Sequence, residues 1–184
     1  RHSLLEVGKP FRHLVISDID DTVLVTHAAT TLRMIATTLF GNALTRQLFP
    51  GNPELYQALR HGPDPGRDDL NPIVYVTSSP FNLHGMLHLI FERNGLPLGP
   101  FFMTDWGLDF DKWFKKSHRE HKLAAIRQTL EWYPDAPVLL IGDSGQHDTG
   151  IYVDAAREFP DRIGRILIRD VSGPDRLAEL NERA

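Results

Sequence analysis

Short apolar runs alternate with segments of helical periodicity along this chain. Four runs are bounded by polar or turn-forming residues, and they read "HLVIS", "PIVYVTSS", "PVLLIGD" and "IGRILIRDV". Near-continuous apolar runs of this length are typical of strands buried on both faces of a parallel sheet. Because helical patterns lie between them, the sequence predicts an α/β fold in three layers, with a mainly parallel, Rossmann-like sheet between helices.

Start and stop signals locate the predicted helices. Ser79 is a candidate N-cap, with Pro80 at the first helical position. Ser117 and Glu120 match a capping box at the start of a second helix. A third helix is expected over roughly residues 147–159, directly after the motif "GDSG".

Two segments interrupt the alternation of strands and helices. Residues 28–62 carry two helical patterns and predict a small helical cap inserted after the first strand, its second helix capped by Asn52 and ended by Gly62. Residues 61–72 are rich in Pro, Gly and Asp and predict an exposed loop. The loop's acidic residues, for which solvation is favoured over metal binding, are Asp64, Asp68 and Asp69.

Composition narrows the classes of function. A length of 184 residues suits one domain over residues 1–184, and a formal net charge of −4 gives no general attraction to nucleic acid. The chain has no cysteine, which fits a reducing, cytoplasmic compartment and leaves oxygen or imidazole as metal ligands. Because the sequence begins at Arg1 rather than at Met, we expect further sequence to precede it. No signal indicates an oligomeric state.

Polar side chains follow the predicted strands at their carboxyl ends, where open parallel sheets bind ligands. They are Asp18, Asp20, Asp21 and Thr22 after the first run, Thr77, Ser78 and Ser79 after the second, and Gly142, Asp143, Ser144, Gly145 and Asp148 after "PVLLIGD". If the sheet is parallel, these groups converge on one edge. Lys122 is expected to reach the same edge from a helix.

Such a cluster of carboxylates needs a neutralising partner. Several carboxylates within a few ångströms repel one another unless a proton, a lysine or a divalent cation intervenes. Oxygen ligands favour Mg²⁺, which shares its coordination with phosphate groups, while hydroxyls and a lysine suit phosphate oxygens. Taken singly, each residue is more often a turn former, a helix cap or a solvated side chain. Taken together and in this order, they favour phosphate chemistry.

These motifs resemble those of the haloacid dehalogenase superfamily of phosphohydrolases. "DIDDT" is similar to its Asp-x-Asp-x-Thr signature, "VYVTS" to its second motif, "HK" to its lysine motif and "GDSGQHD" to its terminal acidic motif. More narrowly, "YVTSSP", "HKLAAI" and "IGDSGQHDTGIYVDAAREFPDRIGRILIRDV" resemble the catalytic domain of the phosphatidate phosphatase family associated with cortical actin patches in yeast.

The resemblance implies a two-step phosphoryl transfer. Asp18 would attack phosphorus to form an aspartyl-phosphate, and Asp20 would protonate the leaving oxygen and then activate water. Thr77 and Lys122 would bind the phosphoryl oxygens, with Ser78 also in the phosphate-binding set. The implied ligands of Mg²⁺ are Asp18, Asp20 through its backbone carbonyl, Asp143 and Asp148.

Three residues near these motifs keep open roles. Asp21 fills a variable position of the signature, where a turn-capping role is favoured over an accessory role near Mg²⁺. His147 precedes Asp148, and a helix-start role is favoured over contact with the leaving group. Ser79 competes with Thr77 and Ser78 as the phosphoryl-binding hydroxyl.

The substrate is the least determined part of the prediction. The resemblance implies a lipid phosphate monoester such as phosphatidate, with transient contact to a membrane surface. Aromatic residues in the stretches 100–102 and 106–114 suit either a lipid interface or ordinary packing. A phosphatase of a soluble metabolite or protein phosphoester is one alternative. A phosphate-responsive module resembling a receiver domain is another, although such a module has no use for the second Asp of "DID" or for "GDSGQHD".

Overall fold

A five-stranded parallel sheet organises the chain, and a computed structural model describes residues 11–24, 48–63, 70–104, 114–145 and 148–171. The strands are β1 (Leu14–Asp18), β2 (Ile73–Pro80), β3 (Phe101–Thr104), β4 (Val138–Asp143) and β5 (Ile163–Arg169). The helices are α1 (Asn52–His61), α2 (His84–Arg93), α3 (Phe114–Trp132) and α4 (Asp148–Glu158), and a 3₁₀ turn spans Phe81–Leu83.

Helices cover both faces of this sheet. Alternate residues of a strand point to opposite faces, so Leu14 and Ile16 pack in one apolar cluster with α3 and α4, while Val15 packs in another with α1 and α2. Both clusters are dominated by Val, Ile and Leu, as expected for a sheet with no solvated face. The predicted three-layer α/β class is confirmed.

The order of the strands creates a crevice above the centre of the sheet. The spatial order is β3-β2-β1-β4-β5, so the chain builds outward from β1 to β3 and then returns to the other side of β1. Open α/β sheets bind ligands outside the carboxyl ends of the strands at such a reversal. The strands that flank the reversal are β1, which ends at Asp18, and β4, which ends at Asp143.

The prediction for the segment between β2 and α2 was wrong. Ser79 and Pro80 belong to β2, and α2 begins only at His84. Pro80 has an extended backbone and pairs with Thr104 of β3, whose hydroxyl donates to the carbonyls of both Ser78 and Ser79. This edge strand, which the sequence analysis did not predict, therefore holds the segment extended.

Two predicted helix caps were also wrong, while a predicted helix end was confirmed. Gly51, in a left-handed conformation with φ of 81°, occupies the N-cap position of α1, and Asn52 lies within the helix. Ser117 lies inside α3, since the short pattern S-x-x-E does not by itself mark a helix start. Gly62 ends α1 as predicted, with φ of 71°.

Several predictions fall on residues outside the described ranges. They concern the first part of the cap at 28–47, most of the loop at 61–72, the aromatic stretch 106–113 and His147. The second cap helix, α1, lies on the sheet with the buried Tyr56 ring in the core, and the cap as a whole stays a prediction.

The aromatic side chains of β3 pack within the protein. The ring of Phe101 stacks on Tyr75 at 5.4 Å between centroids, and that of Phe102 stacks on Trp132 at 5.4 Å. Phe101 and Phe102 therefore both make aromatic contacts within the protein. Within the part of the chain that the structure describes, no helix has the length and apolar character needed to cross a membrane.

Candidate active site

The turn after β1 places two carboxyl groups beneath the surface. The carbonyl of Ile19 accepts hydrogen bonds from the backbone N–H groups of Val23 at 2.9 Å and Leu24 at 3.0 Å, which closes a tight turn directly after the strand. Asp18 is only 1% exposed and Asp20 only 4% exposed. Both side chains therefore lie in the crevice between β1 and its neighbours.

Asp21 provides the bend that this turn requires. Its φ of 55° lies in the left-handed region, which residues other than glycine adopt at some cost, although Asp and Asn tolerate it better than most. The side chain is buried, with 8% exposed. This conformation agrees with the turn-forming role that the sequence analysis favoured for Asp21.

Lys122 reaches the site from α3 and joins two carboxylates. Its Nζ lies 2.6 Å from Oδ1 of Asp18 and also contacts Oδ1 of Asp148. Burial alone would lower the pKa of the ammonium, but the negative charges of Asp18 and Asp148 outweigh it and raise the pKa of Lys122. The lysine therefore stays charged at neutral pH and holds these two side chains in place.

Thr77 connects β2 to the turn after β1. Its hydroxyl donates to Oδ2 of Asp20 at 2.7 Å and accepts the backbone N–H of Ser79 at 2.9 Å. Burial raises the pKa of Asp20, and the Thr77 hydrogen bond only partly opposes this effect. The Thr77 hydroxyl is thus in direct contact with a predicted catalytic carboxyl. Ser78, also buried, lies one residue farther along β2.

Glycine at the end of β4 allows the terminal acidic motif to fold against the strand. A Cβ atom on Gly142 would lie 2.6 Å from Oδ2 of Asp148 and 2.7 Å from the ring of Tyr152, so only glycine fits without displacement. Oδ2 of Asp148 accepts the backbone N–H of Asp143 at 3.3 Å, and Oδ1 of Asp143 accepts that of Gly145 at 2.5 Å. Both carboxylates are thereby fixed at the carboxyl edge.

The donor set fits a hard divalent cation. Asp18, Asp143 and Asp148 are buried, and each offers a carboxylate oxygen within 4.8 Å of the others. With Asp20, the site holds four buried carboxyl groups, whereas Lys122 carries the one buried ammonium among the described residues. Oδ2 of Asp18 and Oδ1 of Asp20 are buried and accept no hydrogen bond from the described residues. An all-oxygen site with this excess of negative charge suits Mg²⁺.

Burial and crowding raise the pKa of the Asp18 carboxyl. Desolvation raises it well above its ordinary value, Lys122 opposes this, and Asp148 and Asp20 add to it. Without a cation, one strongly buried acid is thus driven toward its protonated form. The same excess of negative charge favours the binding of a cation.

The structure brings together all the predicted site residues: Asp18, Asp20, Thr77, Ser78, Lys122, Asp143 and Asp148 end or approach the carboxyl edge of the sheet. Sequence reasoning missed the support behind them. Ser17 donates to the carbonyl of Asp18 at 2.7 Å, and because its hydroxyl has one proton, Tyr56 donates to Ser17 across 2.5 Å. The sequence signal for this support was Ser17, a polar residue that directly follows the apolar run of β1.

A second missed group lies at the end of β5. Arg169 is the last residue of that strand, and its guanidinium donates to the side chain of Asn52 at 2.5 Å. The rule that polar residues at strand ends mark the functional edge would have included Arg169, but the sequence analysis did not apply it to the last strand. Asn52 was assigned to a cap and so was not considered.

Comparison with known sequences agrees with this geometry. The chain is 29% identical over 160 residues to "Phosphatidate phosphatase APP1" from Saccharomyces cerevisiae, which covers 87% of the chain and 26% of that relative. It is 30% identical over 159 residues to an uncharacterized protein from Schizosaccharomyces pombe, which covers 85% of the chain and 25% of that relative. The chain therefore spans about a quarter of the length of these relatives.

A family match covers nearly all of the described structure. Residues 13–170 match the family described as "Phosphatidate phosphatase APP1, catalytic domain", and this span contains all four motifs and both flanks of the crevice. The narrower of the two resemblances found in the sequence is confirmed. The chain belongs to the family of phosphatidate phosphatase APP1 catalytic domains.

Proposed function

We propose that this chain is the catalytic domain of a Mg²⁺-dependent phosphatase that hydrolyses a lipid phosphate monoester such as phosphatidate through an aspartyl-phosphate. The observation that carries the proposal is the buried arrangement of Asp18, Asp20, Thr77 and Lys122 at the reversal of strand order. The lipid substrate is supported by the name of the family and of the S. cerevisiae relative.

In the first step, a carboxylate oxygen of Asp18 attacks phosphorus, and the bond from phosphorus to the ester oxygen breaks. Lys122 holds Oδ1 of Asp18 at 2.6 Å, which fixes the carboxylate, and Oδ2 is the oxygen without a hydrogen bond among the described residues. Asp20 gives a proton to the departing ester oxygen. Burial, which raises the pKa of Asp20, favours the protonated form that this role needs.

In the second step, water hydrolyses the aspartyl-phosphate. Asp20, now ionised, takes a proton from the water, whose oxygen bonds to phosphorus as the bond to Asp18 breaks. This returns both carboxyl groups to their starting states and releases inorganic phosphate. Thr77 and Lys122, joined by Ser78, are proposed to bind the phosphoryl oxygens, which carry the charge that develops in each transition state.

Mg²⁺ would be held by Asp18, by the backbone carbonyl of Asp20, and by Asp143 and Asp148. When bound, the cation supplies Lewis-acid charge that offsets the negative phosphoryl oxygens and the carboxylate nucleophile. Without it, four buried carboxyl groups share one lysine, an arrangement that repels an incoming phosphate.

The experiment is a substrate panel assayed for phosphate release with Mg²⁺. Phosphatidate in mixed micelles is compared with soluble metabolite phosphoesters and a phosphopeptide, and Asp18→Asn serves as the blank. We expect release from phosphatidate that depends on Mg²⁺ and is lost in the variant. Phosphate release from the soluble esters alone would contradict the lipid substrate and favour a phosphatase of soluble phosphoesters.

Trapping the intermediate tests the mechanism separately. With labelled substrate and rapid acid quenching, we expect a transient protein-bound phosphate in the parent and none in Asp18→Asn. A phosphorylated form that persists without turnover would instead favour the receiver-like module.

A further inference from the structure

We propose that Asn52 is a positioning residue that fixes the turn carrying Asp20, with its own orientation set by Arg169. This inference deepens the proposed function and rests on it, because Asp20 matters as the proton donor. No motif identifies Asn52, and the sequence alone favoured a local helix cap at this position. The geometry assigns it to a different partner.

The carboxamide of Asn52 is committed to the turn after β1. The side chain is 1% exposed, and its Nδ2 donates to the carbonyls of Thr22 at 3.0 Å and Val23 at 3.0 Å. Both amide hydrogens are thereby used on two successive peptide groups. Thr22 and Val23 lie two and three residues after Asp20, so Asn52 holds the last part of the turn that carries the Asp20 carboxyl group.

Arg169 decides which way this amide faces. A guanidinium only donates hydrogen bonds, so the atom that faces its Nη2 at 2.5 Å is Oδ1 of Asn52, and the NH₂ group must face the turn. The guanidinium is itself held over the ring of Phe49, with its carbon 4.2 Å from the ring centroid. The last residue of β5, the start of α1 and the turn after β1 are thus connected through one side chain.

The turn needs such external support. Asp21 lies at φ of 55°, a conformation that a non-glycine residue keeps only when its surroundings determine it. Asp20 contacts Thr77 across the crevice at 2.7 Å, so a shift of the turn would move the carboxyl group away from the ester oxygen it serves. Proton transfer requires approach to hydrogen-bond distance, which makes this step sensitive to small displacements.

Asn71 provides a matched control at the opposite edge of the sheet. It is also nearly fully buried, at 2% exposed. Its Oδ1 accepts the backbone N–H groups of Arg12 at 2.9 Å and His13 at 3.3 Å, and its Nδ2 donates to the carbonyl of Leu59 at 2.9 Å. Asn52 and Asn71 therefore each make three hydrogen bonds that join α1 to other parts of the chain. Of the two, only Asn52 bonds to the turn after β1.

The test compares Asn52→Asp with Asn71→Asp on two soluble phosphate monoesters. Aspartate keeps the shape of asparagine and an acceptor for Arg169, but it replaces the donors to Thr22 and Val23 by an oxygen that repels their carbonyls. An alkyl phosphate has a poor leaving group and needs the proton from Asp20, whereas p-nitrophenyl phosphate has a good leaving group and needs it far less. The measurement is kcat/KM for each ester, with Tm to score stability.

We expect Asn52→Asp to lower kcat/KM for the alkyl phosphate at least about tenfold more than for p-nitrophenyl phosphate, a part of the usual effect of general acid catalysis. Asn71→Asp should lower Tm but leave the ratio of the two kcat/KM values at the parent value. Arg169→Met, which removes the donor that orients the amide, should shift the ratio in the same direction by less. It also serves as the test if Asn52→Asp does not fold.

Two controls separate failure of this inference from failure of the proposed function. Asp20→Asn should give the largest shift in the ratio; if it gives none while the parent is active, the proton-donor role of Asp20 is wrong. If Asp20→Asn shifts the ratio but Asn52→Asp and Arg169→Met leave it at the parent value, Asn52 is structural only and the inference is overturned.

Discussion

The two edges of the sheet bury polar side chains with different partners. At the amino edge, the carboxamide of Asn71 bonds to backbone groups of Arg12, His13 and Leu59. Nearby, Arg162 donates to the carbonyls of the turn before β4. These two side chains bond to the chain's own backbone, so their contribution is to stability.

At the carboxyl edge, the buried groups are charged and outnumber their internal partners. Asp18 and Asp148 share Lys122, Asp20 bonds to Thr77, and Asp143 lies against the turn that follows it. Oxygen atoms of Asp18 and Asp20 keep unused acceptor capacity in the described structure. Such a buried excess of charge is costly unless a ligand completes it, which is why this edge marks function.

The largest expected effect comes from removing the ammonium that pairs with two buried carboxylates at the carboxyl edge. Lys122→Met leaves Asp18 and Asp148 buried without their partner, which should lower the free energy of unfolding by about 3 kcal/mol or more at neutral pH. It should also abolish measurable turnover. Denaturant unfolding in metal-free buffer and the phosphate-release assay give the two readouts.

Arg162→Met is the matched variant at the amino edge. It removes hydrogen bonds to backbone carbonyls rather than a buried ion pair, so we expect a loss of about 1 kcal/mol and normal turnover. Equal losses of stability and of turnover in the two variants would mean that the edges do not differ as proposed.

The next effect is the response of each edge to Mg²⁺. A ligand that binds only the folded chain stabilises it by about 2.7 kcal/mol when its concentration is 100 times Kd. We expect Mg²⁺ to raise Tm in the parent and in Asn71→Asp, and to have little effect in Asp143→Asn, which lacks a proposed ligand. If Mg²⁺ raised the Tm of Asp143→Asn as much as that of the parent, Asp143 would not be a ligand of the cation.

A smaller effect is expected from adding one methyl group at each edge. In Gly142→Ala the new Cβ would lie 2.6 Å from Oδ2 of Asp148, so the motif must shift, at a cost of about 2 kcal/mol. In Gly164→Ala the nearest atom, the carbonyl oxygen of Val138, is 3.9 Å away, and we expect a change of less than about 0.5 kcal/mol. Thermal unfolding of both variants makes the comparison, and equal shifts would contradict it.

The sequence predicted the carboxyl edge much better than the support around it. Apolar runs ending in Asp18, Thr77 and Asp143 carry both a structural and a chemical signal, because strand ends converge wherever the sheet is parallel. The strand order and the crevice beside β1 could not be predicted, because apolar runs do not indicate which strands pair with one another. β3 has only four residues, all half-buried, so its apolar run gives little periodicity by which to recognise a strand.

Side chains that act across long sequence separations were the hardest to predict. Asn52 has a sequence context typical of a helix cap, yet Gly51 takes that position and the carboxamide bonds to a turn some 30 residues earlier. Tyr56 carries the periodicity of a core residue and gives no sign that its hydroxyl supports Ser17. Local propensity describes what a residue does within its own element, and these roles depend on tertiary contacts.

The smallest expected effect is a difference in how the two edges respond to pH. Burial raises the pKa of Asp18 at the carboxyl edge and lowers that of His13 at the amino edge. A carboxyl with a raised folded-state pKa binds its proton more readily when folded, so stability falls as pH rises from about 4 through the raised pKa. A histidine with a lowered pKa has the opposite sign, and stability falls as pH drops below about 6.5.

Two variants separate these contributions in metal-free buffer. Asp18→Asn cannot ionise, so it should match the parent below about pH 4 and exceed it at neutral pH by about 1 kcal/mol, within the range usual for stabilising changes at functional sites. His13→Gln should flatten the stability profile only below about pH 6.5. Urea unfolding across pH 3.5 to 8 gives both profiles. Because the gain in stability of Asp18→Asn arises from relieved repulsion, saturating Mg²⁺ should make this variant less stable than the parent. The same Mg²⁺ should leave the His13→Gln profile unchanged. A gain in Asp18→Asn that persists in Mg²⁺ would show that the carboxyl edge is not completed by a cation.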